Sequence, residues 1–348
     1  MKKLYRALCM TIAMTTGAAA AEPGSVHADE WAAYQQAFVQ QGRVIDIANG
    51  EISHSEGQGY GLLLAYLAGD TDGFAAIWGF TTAELMVRED GLLAWKWEPD
   101  AKPHVTDSNN AADGDLLVAY ALALAGRDWD RPDYVDAARK LANAVGSAAT
   151  LRWGGRDILL PGAFGFRPED QADGPIINLS YWVFEAFPVL ATVAPNTDWS
   201  AIAQSGRLLV HESRFGPLQL PTDWIALGGE QPAPAAGFAP EFGYNSVRIP
   251  LYLLRGGDRE PVLLRQFVAP LSGETAATTR VETGQAIDPL QEPGYRIIGA
   301  AISCVLDGAP IDPALLTFSP QSYYGSTLQL LTLSYLRQSA PHCLGGSK

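Results

Sequence analysis

The chain reads as an all-α protein, an (α/α)6 barrel of six helical hairpins, and three observations point there. Apolar residues recur at helical spacing along most of its length, with few runs that alternate every second residue. The helical segments also differ in character, some nearly free of charge and others charged along one face. Glycine, proline and aspartate punctuate them at short intervals.

A first helix carries Trp31, Tyr34 and Phe38, a second runs from Ser55 to Ala68, and a third holds Phe74, Ile77, Trp78 and Leu85. Gly69 and Asp70 part the last two. A fourth begins near Asp113 with Leu116, Leu117, Tyr120 and Leu124 and stops at Gly126; a fifth follows Pro132 with Tyr134, Ala138, Leu141 and Val145. Further starts near Ser180, Trp199, Tyr244, Pro261, Gly294, Asp312 and Tyr323 bring the total to about twelve. The segments starting at 55, 113, 180, 244, 294 and 323 are almost chargeless, as in LSYWVFEAFPVL and STLQLLTLSYL, whereas those at 131, 199 and 261 carry charge on one face. Helices apolar all round are buried and one-sided ones lie outside, so an inner ring wrapped by an outer ring is expected.

The opening residues, MKKLYRALCMTIAMTTGAAAA, set Lys2, Lys3 and Arg6 before an apolar stretch and a small-residue end, the layout of an export signal cut near Ala20 or Ala21. The expected organisation is a signal peptide over 1–21 and a single domain over 22–348, delivered to the periplasm or out of the cell. No later apolar run is long enough to ask for a bilayer. Loss of the leader removes three basic residues and no acid, moving the formal charge from −14 to −17, a balance that repels nucleic acid and anionic lipid. Cys9 leaves too, so Cys304 and Cys343 meet an oxidising compartment either bridged or as two free thiols. Nothing resembles a zinc site.

If the inner helices are parallel, their N-termini open on one end of the barrel, and the stretches found there are HSEGQGYG, TDSNNAADGD, INLSYW, EFGYNSVR, EPGYRI and SYYGST. Ser55, Asp113, Asn178 and Asn245 are residue types that cap helices. Capping does not account for Tyr60, Tyr181, Tyr244, Tyr295, Tyr323 and Tyr324, or for Trp95, Trp97 and Trp182 nearby. Core packing accounts for about half of such aromatics, yet aromatic faces also stack on sugar rings, and hydroxyls and carboxylates bond to sugar hydroxyls. Cleaving a glycosidic bond needs a protonated carboxyl on the leaving oxygen and a second carboxylate. Glu56 and Asp113 stand at successive inner-helix starts, with Asp107, Asp115, Asp223, Glu230 and Glu241 in or near neighbouring loops. A helix N-terminus favours the anion, so a proton donor there needs burial or a nearby carboxylate to raise its pKa. Gly57, Gly59 and Gly61 cost helix propensity and are expected to let a sugar chain approach the backbone.

At these residues the sequence resembles glycoside hydrolase family 8. The segments that carry the resemblance are SEGQGYG (55–61), DSN (107–109), AADGD (111–115), LPG (160–162), NLSYW (178–182), TDW (222–224) and YNSVRIPLY (244–252), spread over about residues 30 to 340. It is closest to endoglucanases associated with bacterial cellulose synthesis, including those of rhizobia. The resemblance implies an (α/α)6 barrel, inversion at the anomeric carbon, β-1,4-glucan as substrate, the cellulose synthase machinery as a partner, and no required cofactor or metal. It makes Glu56 the proton donor and Asp113 the residue that grips the sugar at the cleavage point. Tyr60, Trp95, Trp97, Asp107, Tyr181, Asp223, Tyr244, Asn245 and Arg248 are the candidates to bind substrate.

Two departures stand out. Ala112 replaces the usual Ser or Thr, and Asn245 occupies the position where many members carry a general-base aspartate. An amide cannot deprotonate water, so the base is expected from the preceding loop, at Glu241 before Glu230, with Asp113 a further candidate. A chitosanase, lichenase or xylanase of the same family, or a glycan-binding protein without turnover, are the competing expectations. A terpene-cyclase-like barrel would need Asp-rich metal motifs such as DDxxD, which the sequence lacks.

Overall fold

The computed structural model describes residues 21–345, so the leader expected over 1–21 lies, apart from Ala21, outside the described residues. The helices are α1 (Ala28–Phe38), α2 (Ser55–Ala68), α3 (Thr71–Glu84), α4 (Ala112–Asp128), α5 (Pro132–Ala148), α6 (Ala186–Val193), α7 (Trp199–Glu212), α8 (Ile249–Arg255), α9 (Pro261–Leu264), α10 (Pro293–Asp307), α11 (Pro313–Leu316) and α12 (Tyr323–Ser339). The even-numbered helices form the inner ring. α2 packs on α4 and α4 on α6, the 3-10 turn Leu179–Tyr181 carries the ring to α8, and α10 and α12 close it back onto α2. α4 is buried without a break from Ala112 to Gly126, whereas α5 buries only the stripe of Tyr134, Ala138, Leu141, Ala142 and Val145. The (α/α)6 expectation is met, and no described helix is long and apolar enough to cross a membrane.

Local chemistry sets the boundaries. Gly69 ends α2 in the left-handed conformation at φ 77°, and Asp70 then caps α3 by accepting the Gly73 N–H. Where helices were expected to start near Ser180 and Tyr244, the chain makes 3-10 turns, and regular helix begins only at Ala186 and Ile249. Pro188 and Pro250 explain the delay, since a proline ring clashes with the carbonyl four residues earlier and is tolerated only in a first turn. The outer helix expected from Pro261 is likewise cut to one turn followed by 3-10 turns, with Pro270 within them.

The polar and glycine residues of SEGQGYG turn out to be largely structural. Gln58 is buried, accepts the Val44 N–H (2.7 Å) and donates to the Gly42 carbonyl (3.0 Å) and Thr81 Oγ1 (3.1 Å), tying the 42–44 loop and α3 to α2. A Cβ on Gly59 would stand 2.5 Å from the Leu117 Cβ, and one on Gly61 2.6 Å from Val44 Cγ2. Helix packing, not the approach of a sugar chain, requires these two glycines. Cys304 and Cys343 are joined in a disulfide.

Short β-ribbons dress the end of the barrel where the inner helices begin. Ser53–His54 pairs with Lys96–Trp97, Ile176–Ile177 with Ile225–Ala226, and Glu241–Phe242 with Ala277–Arg280. These ribbons fix the loops that surround the candidate site.

Candidate active site

The first turn of α2 is capped by His54, whose Nδ1 accepts the Gly57 N–H at 3.0 Å. Ser55, expected to cap, is instead buried with its hydroxyl unpaired. Asn178 does cap its 3-10 turn, but Asp113 and Asn245 make no such bond. The acids at these starts are therefore free for other partners.

Arg248 supplies one. Buried where α8 begins, it reaches across the barrel with Nη1 on Glu56 and Nη2 on Asp113 at 2.5 Å, while its Nε donates to the Ser180 carbonyl at 3.3 Å. Glu56 and Asp113 sit on the two amino groups of one guanidinium, so their carboxyls are neighbours and the charge on Glu56 opposes ionisation of Asp113. Burial pushes Glu56 up, but the Arg248 guanidinium beside it holds the group below its usual range. Burial pushes Asp113 up to about 7, with the Glu56 charge adding to the rise and Arg248 opposing it. The raised pKa expected for the donor thus belongs to its partner, whose side chain is 2% exposed against 18% for Glu56. Two acids this close titrate as one unit. Tyr323 donates a further bond to Glu56 Oε1 at 3.3 Å.

A cleft of about 680 Å³ opens above this pair. Of the expected site residues, Glu56, Asp113, Trp95, Tyr181, Tyr244, Asn245 and Arg248 line it, joined by Tyr295, Tyr323 and Tyr324. Tyr244 is 45% exposed on the rim and packs edge-on against Tyr295, with ring centres 6.1 Å apart.

The other expected residues lie elsewhere. Tyr60, at 0% exposure, bonds Tyr252 inside the barrel, since it stands a full helical turn below Glu56. Trp97 stacks on His104 at 4.2 Å and donates to Glu84, outside the cleft. Asp107 acts through Trp95, accepting its indole N–H at 2.9 Å. Asp223 accepts the Gly243 and Ser246 N–H groups at 3.0 and 2.8 Å, bracing the turn that carries Asn245. Neither loop acid expected to serve as base reaches the cleft. Glu241 lies in a β-ribbon opposite Arg280, which it pairs with at 3.3 Å, and Glu230 lines a separate small hollow with Trp153 and Arg156. Sequence reasoning passed over Asp46, His54 and Glu292, all of which line the cleft. Glu292 carried a signal, since it precedes Pro293 at the start of an inner helix, just as Glu56 and Asp113 sit at theirs.

A pair of neighbouring carboxyls, one of them raised to about 7, beneath a groove walled by aromatic rings can supply a proton to a glycosidic oxygen, which places the chain among the glycoside hydrolases. Its residues 1–338 match the model of glycosyl hydrolases family 8, and the chain belongs to that family. It is 35% identical over 324 residues to a probable endoglucanase of Novacetimonas hansenii, covering 91% of this chain and 93% of that one. It superposes on an endo-β-1,4-glucanase from Acetobacter xylinum with a TM-score of 0.79 at 32% identity, over 89% of this chain and 97% of the other. An endoglucanase from Komagataeibacter sucrofermentans gives 0.79 at 33% identity, over 89% and 98%.

Proposed function

We propose that this chain is an endo-β-1,4-glucanase that cuts internal bonds of cellulose-type chains with inversion, the Glu56–Asp113 pair supplying the proton. The carrying observation is the shared carboxyl pair held by Arg248 under the cleft. In the empty cleft the proton rests on Asp113. A bound glucan excludes water from Glu56, strengthens the penalty on its charge, and so favours passage of the proton from Asp113 to Glu56, which faces the leaving oxygen. Asp113, only 1% exposed, acts chiefly through Glu56 rather than by gripping the sugar. Trp95, Tyr181 and Tyr244 offer faces and hydroxyls to successive sugar rings.

The relatives named as endoglucanases support the β-1,4-glucan reading. The leader motif supports export to the periplasm or the exterior, with 22–348 as one catalytic domain, and a role beside the cellulose synthase machinery fits that placement. Ala21 is buried and its carbonyl accepts the Tyr66 hydroxyl at 3.1 Å, which supports a cut between Ala20 and Ala21, one residue ahead of the expected domain start. Reducing-end release from carboxymethylcellulose, lichenan, xylan and chitosan tests the reading. Preference for carboxymethylcellulose is expected; binding without product would identify a glycan-binding protein, and preference for chitosan or xylan would change the substrate.

A further inference from the structure

Inverting hydrolysis needs a carboxylate to take a proton from the attacking water, and Asn245 is an amide. Among the described residues the cleft is lined by the carboxyls of Asp46, Glu56, Asp113 and Glu292. Glu56 and Asp113 are both committed to Arg248. Asp46 belongs to the donor's own wall, 3.6 Å from Nε2 of His54, two residues before Glu56. Glu292 is the remaining acid. Its Oε2 accepts from the hydroxyl and N–H of Ser322 at 2.7 and 3.2 Å, and its Oε1 has no protein partner among the described residues. One helical turn further, Tyr295 packs against Tyr244, the neighbour of Asn245. Glu292 thus stands on the Tyr244–Asn245 side of the cleft, with one oxygen anchored and the other free.

Resting on the glucanase reading, we propose that Glu292 is the general base, acting on a water that Asn245 and Tyr244 help to hold. The water oxygen bonds to the anomeric carbon as its proton passes to Glu292 Oε1. The glycosidic C–O bond breaks, and its electron pair takes the proton from Glu56. The new reducing end has inverted configuration, Glu292 is left protonated and Glu56 ionised, and exchange with solvent restores both.

The test is Glu292→Gln and Glu292→Ala in the full chain, assayed on cellopentaose with and without sodium azide. Glutamine still accepts from Ser322 but cannot take a proton, so Glu292→Gln is expected to keep its fold by circular dichroism and lose on the order of 10²- to 10⁴-fold in kcat. In Glu292→Ala, azide needs no deprotonation and is expected to restore turnover, yielding a glycosyl azide of inverted configuration. Glu292→Gln within about threefold of wild type, or loss without azide rescue, overturns the role of Glu292 while an active wild type leaves the glucanase reading standing. A wild type inactive on every β-glucan overturns both.

Discussion

Gly114 of α4 lies so close to Ser55 of α2 that a Cβ at 114 would stand 2.1 Å from the Ser55 hydroxyl and 2.7 Å from the Glu56 nitrogen. The absence of a side chain at 114 is what lets the first turns of two inner helices touch and brings their acids, Glu56 and Asp113, onto one guanidinium. Gly114→Ala must push α2 and α4 apart. Overpacking of this kind costs about 1–3 kcal/mol, and kcat is expected to fall more steeply than the stability loss alone explains, read by urea unfolding beside turnover on carboxymethylcellulose.

Asp113 makes both stability and activity depend on pH. With its pKa raised to about 7, the native chain binds a proton between roughly pH 4 and 7 that the unfolded chain has released. The contribution of this group to stability therefore falls as pH rises through that window. Asp113→Asn removes this group's share of the slope and leaves that of Asp115, which burial also raises to about 7, so the Tm of the variant relative to wild type should climb from pH 4 to pH 7. The acid pair must be protonated to act, and kcat/KM of the wild type should decline as pH rises through about 7.

Arg248 is the buried countercharge that holds Glu56 and Asp113, and removing one partner of a buried ion pair is expected to cost about 3–5 kcal/mol. Arg248→Met should lower stability by that order in chemical denaturation. It should also shift the basic limb of the pH–rate profile upward in whatever activity remains, because Glu56 loses the charge that holds it down.

Trp95 is aimed by Asp107, which is itself outside the cleft. Trp95→Ala should raise KM for cellopentaose roughly three- to tenfold with a smaller change in kcat, the mark of lost binding. Asp107→Ala should move KM in the same direction by less.

The Cys304–Cys343 bridge closes a loop of 39 residues between the C-terminal portion of α10 and the turn after α12, at the far end of the barrel from the cleft. The double variant Cys304→Ala, Cys343→Ala should lose about 3–4 kcal/mol of stability, measured by urea unfolding, and keep its kcat.

The barrel was legible because burial leaves a direct mark on composition: α4 carries no charge between Asp115 and Arg127, and α12 none before Arg337. Glu56 and Asp113 were legible because both stand at helix starts, which parallel packing brings to one end. The clamp between them was not, since Arg248 lies 192 and 135 residues from its partners and no local pattern encodes that meeting. Tyr60 was misplaced because nearness to Glu56 in sequence is, in a helix, a full turn of depth. Glu241 was misplaced because a two-residue ribbon pairing with Arg280 is too short to show as alternation.

The most direct test of the account is the turnover of Glu56→Gln beside wild type on cellopentaose, with the anomer of the first product followed by NMR. Wild type should release the α-anomer, and Glu56→Gln, folded by circular dichroism, should lose on the order of 10²- to 10⁴-fold in kcat. Near-normal turnover by Glu56→Gln would contradict the account at its centre.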